Sequence, residues 1–282
     1  MQLQRAIRVL LLTTFSIHCY IFPSALFLLV TNQVPPGQEW MATLMLIVEG
    51  LVALTWVVAN YGLQRGLLGG LAVLGLGFVV ESLGETTGFP FGNYKYTDLL
   101  QPKLGTVPLG IMFAWLMIVL ASFYTARLIL ARVKPDASPA RIIGLTVFLI
   151  LISDLLMEPV AFHVQGYWLW SDGFMSGYYG VPLTNFVAWV VTAFVMITIL
   201  SRITGVAHTK LSLEPQTLRY TFIPPLLFMM NLVLFTAVNL SQKFFLAGSI
   251  GVVVGISCAY FLLRGLTFNI PNPFWLIFRR GE

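Results

Sequence analysis

Charge is scarce in this sequence. Of 282 residues, 10% are Asp, Glu, Lys or Arg and 58% are hydrophobic, and the mean hydropathy is +0.86. So little polar surface cannot coat a soluble globule, which excludes a water-soluble domain and points to an integral membrane protein. Cysteine is scarcer still. Cys19 and Cys258 lie far apart in apolar segments, which excludes a disulfide framework and a four-ligand zinc site. His18, His163 and His208 fall in the first apolar span, an outer loop and a cytoplasmic loop, and make no haem or metal pair. Also missing are an Asp-rich motif for magnesium and diphosphate, an in-span Lys for a retinal Schiff base, a G-x-x-x-x-G-K-[ST] loop and histidine-rich boxes. Redox, nucleotide and phosphate chemistry lose support, and no cofactor is expected.

What remains is a set of long apolar runs. A bilayer core takes about 20 apolar residues per helix, and on that length the sequence predicts eight spans near 8–30, 40–61, 67–86, 106–130, 141–161, 182–201, 221–239 and 244–264. The expected fold is an all-α, polytopic membrane bundle forming one transmembrane domain over residues 1–282. The apolar stretch after Arg5 and Arg8 is too long for a signal peptide and shows no small-residue cleavage site, so it is read as a helix. The formal charge of +5 does not imply a nucleic-acid partner, because the basic residues stand in ones and twos between apolar segments. With the N-terminus inside, thirteen of them are cytoplasmic, including Arg127, Arg132, Lys210, Arg219, Arg279 and Arg280, against Lys95, Lys103 and Lys243 outside. That asymmetry predicts a multi-pass protein of the cell membrane with both termini cytoplasmic.

Sliding the chain against itself by 73 or 74 positions aligns the third and fourth spans with the fifth and sixth. Glu81-Ser-Leu-Gly-Glu85 falls on Asp154-Leu-Leu-Met-Glu158, and Tyr94 falls on Tyr167. After a one-residue insertion, "VPLGIMFAW" from Val107 falls on "VPLTNFVAW" from Val181. The expected repeat units are about 67–131 and 141–203. Both enter the membrane from the same side, so the repeat is parallel and implies a pseudo-twofold axis along the membrane normal.

Residues four apart share a helix face, so Glu81 with Glu85 and Asp154 with Glu158 each form a carboxyl ladder near the outer ends of their helices. Glu49, some nine residues into the second span, reaches comparable depth. An acid at a helix centre costs about 2.5–3.5 kcal/mol on insertion scales, and no cation is expected in the hydrocarbon to offset it. Crowded carboxyls oppose one another's ionisation, and loss of water opposes it further. At least one is therefore expected to hold its proton near neutral pH, beside an ionised neighbour, as general acid-base chemistry requires. A structural reading competes with this one, since an acid near a helix end can snorkel to water. Intramembrane acids placed by a repeat nonetheless favour function. Asn185 positions a water or a carboxyl, or makes a helix-helix contact; Asn60, Asn231 and Asn239 are read as packing contacts.

The run "ESLGETTGFPFGNYKY", the following "VPLGIMFAW", then "SDLLMEPVAFHVQGYWLW" and "YYGVPLTNFVAW" resemble the membrane-integral carotenoid hydratases, the family of the γ-carotene 1',2'-hydratases and bisanhydrobacterioruberin hydratase. The resemblance covers roughly residues 45–200. It implies a hydro-lyase that adds water to an isoprenoid end-group double bond of an acyclic or monocyclic carotenoid, giving a tertiary alcohol. The partners implied are a lipid-soluble carotenoid, water and membrane lipids. Glu81, Glu85, Asp154 and Glu158 match the family's acidic positions, and Tyr94, Tyr96, Trp168, Trp170, Tyr179 and Asn185 its polar and aromatic ones; Glu49 is grouped with the substrate-binding set.

Two other readings remain in view. A membrane carotenoid cyclase or isomerase uses the same protonation without capturing water. A proton-coupled transporter also suits paired intramembrane acids, but it needs a polar path across the membrane, and "GLLGGLAVLGLG" and "IIGLTVFLIL" leave the inner halves of the repeat helices dry.

Overall fold

A computed structural model describes residues 2–134, 136–171, 176–205 and 220–264. His208, Lys210, Arg219, Arg279 and Arg280 lie outside the described residues. Eight helices are long and apolar enough to cross a membrane. They are α1 (Gln2–Val30), α2 (Trp40–Tyr61), α3 (Leu63–Thr87), α4 (Leu109–Val133), α5 (Pro139–Pro159), α6 (Leu183–Thr204), α7 (Ile223–Ser241) and α8 (Phe245–Leu263). The eight-span expectation holds. Two boundaries move furthest: α1 begins at Gln2 rather than 8, and α3 at Leu63 rather than 67. Polar residues in those first turns sit at the membrane edge, where a hydropathy window underweights them.

Helix α4 is apolar on every side, as a helix surrounded by others must be, and is the most buried of the eight. It packs against α2, α3, α5, α7 and α8. Helices α3 and α5 each pack against both α4 and α6, so these four close a ring with α3 and α5 at opposite corners. Helix α1 lies on α2 and α7, and most of its surface is open to the surroundings.

The links from α3 to α4 and from α5 to α6 carry short strands that the helical expectation did not include: β1 (Tyr94–Tyr96), β2 (Lys103–Leu104), β3 (Val107–Pro108), β4 (Trp168–Trp170), β5 (Ser176–Tyr178) and β6 (Val181–Pro182). Hairpins β2–β3 and β5–β6 lead directly into α4 and α6, while β1 and β4 pair antiparallel with Tyr94 opposite Trp170 and Tyr96 opposite Trp168. Alternation along a strand places residues i and i+2 on one face, so aromatic-x-aromatic segments form a ribbon with one aromatic side. Helix α3 ends at Gly88, whose φ of +78° only glycine adopts without strain. Helix α5 instead runs on past Pro159 through a π-helical turn, Val160–Val164.

Candidate active site

The ribbon lies over the C-terminal ends of α3 and α5 and supplies hydrogen-bond donors to the acids beneath. Tyr94 and Tyr96 both donate through their hydroxyls to Glu81 Oε2, at 2.6 and 2.7 Å, and the Trp115 indole of α4 donates to Oε1 at 2.6 Å. Burial, and then the charge of Glu81, push both phenols above the ordinary tyrosine value, so they remain neutral donors. Across the ring, the indoles of Trp168 and Trp170 donate to Glu158 Oε2 at 3.0 and 3.1 Å. The Asn185 amide, on the first turn of α6, donates to Glu158 Oε1 and to Asp154 Oδ2, both at 3.1 Å. Asp154 Oδ1 is buried and has no hydrogen-bond partner among the described residues.

Glu81 and Glu158 line one cavity of about 40 Å³, walled by Tyr94, Tyr96, Trp115, Trp168, Trp170, Asn185, Trp189 and apolar residues including Phe91, Ile118 and Met157. A buried water needs about 10–15 Å³ on the same measure, so the space suits two or three waters or a small part of a larger molecule. Trp115 and Trp189 stack at 4.0 Å with 22° between their planes and form one wall.

The other expected residues fall elsewhere. Glu85, one turn beyond Glu81, is engaged by Lys95, whose ammonium stands 3.3 Å from Oε1 and donates to the Glu85 carbonyl at 2.6 Å. The expectation concerned cations within the spans, and Lys95 is not one of these: it comes from β1, in the link between α3 and α4. Asp154 stands behind Asn185, outside the cavity lining. Tyr179 has a φ of +51° and its hydroxyl accepts from the backbone N–H of Leu246 and Ala247, capping the start of α8. Glu49 belongs to a separate cluster on α1, α2 and α7. Asn231 donates to its Oε1 at 3.0 Å, so Asn231 does more than pack, and His18 Nδ1 lies 3.6 Å away.

Sequence reasoning assigned no role to Trp115, although it is a landmark of the aligned "VPLGIMFAW", nor to Lys95, hidden among the outer basic residues. Gly84 was also passed over. A Cβ there would stand 2.6 Å from Phe91 Cδ2 and 2.9 Å from the Tyr94 hydroxyl, so glycine is what lets Tyr94 reach Glu81. Gly84→Ala is expected to displace that hydroxyl, cost about 1–3 kcal/mol through overpacking and lower activity as much as Tyr94→Phe. A thermal midpoint and an activity both equal to wild type would refute this.

The fold and site define a class: an eight-span membrane protein whose interior carboxyls, held by aromatic donors, face a small common cavity. The chain belongs to the carotenoid biosynthesis protein family, whose model matches residues 41–258 and so leaves α1 outside it. Bisanhydrobacterioruberin hydratase of Haloarcula japonica is 29% identical over 132 residues, which cover 45% of this chain and 43% of that relative. The match therefore spans less than half of the relative's length. No solved structure matches the chain.

Proposed function

We propose that the protein is a cofactor-independent carotenoid hydratase, adding water to an isoprenoid end-group C=C of an acyclic or monocyclic carotenoid to give a tertiary alcohol. The observation that carries this reading is the pairing of Glu81 and Glu158 across one cavity sized for water. The family and the hydratase relative support the substrate class.

Hydration of a trisubstituted alkene begins with proton transfer from a carboxylic acid to the less substituted carbon. The tertiary cation is captured by water, and the oxonium proton returns to a carboxylate, so the net change is addition of one water. Donor geometry suggests the roles. Glu81 takes three donors on its two oxygens, the arrangement of a hydrogen-bond acceptor, and is assigned as the base that deprotonates water. Asp154 and Glu158 share one amide nitrogen and have no ion pair among the described residues, and two such carboxyls resist carrying charge together. That pair is the acid, holding one proton between them, and Glu158 is the member that meets the substrate. The Trp115–Trp189 stack and Tyr94 offer π-faces to the cation.

The polyene enters laterally from the bilayer, its end group reaching the outer half, with both termini cytoplasmic and the two repeat units related by an axis along the membrane normal. The test is expression in cells that accumulate lycopene or another open-ended carotenoid, followed by pigment mass analysis. A gain of one water per reacted end is expected. Unchanged mass with altered absorption would instead indicate a cyclase or isomerase, and unchanged pigment would refute carotenoid chemistry on those substrates.

A further inference from the structure

We propose that Lys95 is a positioning residue that straps the aromatic ribbon to α3 and so holds the hydrogen-bond donors of both carboxyls in place; its catalytic consequence rests on the hydratase reading above. Lys95 lies between Tyr94 and Tyr96 on β1, on the opposite face of the strand. The two phenols fasten the strand to Glu81, and the ammonium fastens it to Glu85, one helical turn further along α3. The strand is thus pinned to one helix at two levels. The carbonyl that Lys95 meets is among the last of α3, where the helix dipole favours a cation.

Glu85 explains why the strap uses a charge. Its side chain is 9% exposed, and its Oε2 is buried with no hydrogen-bond partner, whereas the Lys95 side chain is 64% exposed. The lysine thus brings a compensating charge from the water side to a carboxylate that the span has carried inward. Its effect passes beyond Glu85, because β1 is paired with β4. Lys95 sits opposite Leu169, between the two aromatic cross-strand pairs, and Trp168 and Trp170 on β4 donate to Glu158. Lys95 thus fastens the middle of a ribbon that carries four donors to the cavity carboxyls, two phenols and two indoles. An ion pair with one exposed member adds little to global stability, so losing it should loosen the ribbon without unfolding the bundle.

The experiment uses the full chain in lipid nanodiscs. In Lys95→Met, amide hydrogen exchange in residues 94–96 and 168–170 is expected to rise about tenfold, with helix protection and thermal midpoint unchanged; Lys95→Arg should restore protection. In the hydration assay, kcat should fall about tenfold with KM within about twofold, as expected for a misplaced rather than a missing group. Glu85→Gln, which removes the ion pair but keeps the carbonyl contact, should give a smaller change in the same segments, and the double variant should be no worse than Lys95→Met alone. Unchanged exchange in the ribbon, or exchange raised uniformly through the helices, would overturn the strap. Faster ribbon exchange with unaltered kcat would overturn its role in positioning. If the wild-type protein hydrates no carotenoid, the hydratase reading fails on its own, and the exchange measurement still decides whether Lys95 is the strap.

Discussion

Replacing Glu81 with glutamine is expected to lower the rate of water addition about 100- to 10,000-fold, the range that one positioned acid or base contributes, with the protein still folded. The hydrogen bonds explain why the loss is chemical rather than structural. A glutamine has one oxygen and one NH₂ in place of two carboxylate oxygens. Its oxygen can accept from the Trp115 indole, which only donates, while the NH₂ turns to Tyr94 and Tyr96, whose hydroxyls can rotate to accept. The isostere is thus accommodated, and only the proton acceptor is lost. Glu81→Asp keeps the acceptor but withdraws it by one methylene, so partial activity is expected. The measurements are pigment mass analysis in a carotenoid-accumulating host and a thermal midpoint on the purified variant. Full activity in Glu81→Gln would remove Glu81 from the reaction.

The spans were legible because hydrophobic length is a local property: eight runs gave eight helices, and the two boundaries that moved furthest lie at polar helix ends. The carboxyls were legible as a group for a similar reason, since acids stand out in apolar runs. Their separate fates were not. Helical spacing put Glu81 with Glu85 and Asp154 with Glu158, yet Glu81 and Glu158 line the cavity, Glu85 turns to Lys95, and Asp154 stands behind Asn185. What separates them is the donors that arrive from loops and neighbouring helices, and those contacts cross 10 to 34 positions of sequence.

The π-helical turn after Pro159 bears on the proposed repeat. Such a turn holds one residue more than an α-helical turn, the size of the offset change in the aligned sequences, from 73 to 74. If the insertion in the proposed repeat is placed in that turn rather than after Tyr167, Tyr94 and Tyr96 correspond to Trp168 and Trp170 instead of Tyr94 to Tyr167. The observed pairing of Tyr94 with Trp170 and Tyr96 with Trp168 is then the pattern that a twofold axis through the ribbon would produce. A single extra residue in a helix leaves hydropathy unchanged while it rotates everything after it.

The second large effect is expected at the shared amide. Glu158→Gln should reduce activity about 100-fold or more, whereas Asp154→Asn should cost about tenfold, because the carboxyl lining the cavity survives. The indoles of Trp168 and Trp170 only donate, so they hold the oxygen of a glutamine at their end and leave its NH₂ facing Asn185. Asn185 must then turn its own oxygen toward residue 158. It thereby presents an acceptor to Asp154, which can meet it only by taking the proton. The proton is withdrawn from the cavity to the residue behind it. Because the two carboxyls act as one unit, the double variant should be no slower than Glu158→Gln alone. Steady-state rates of the four proteins check this in one cycle: losses that multiply would mean that Asp154 and Glu158 act independently, and the shared proton would have to be abandoned.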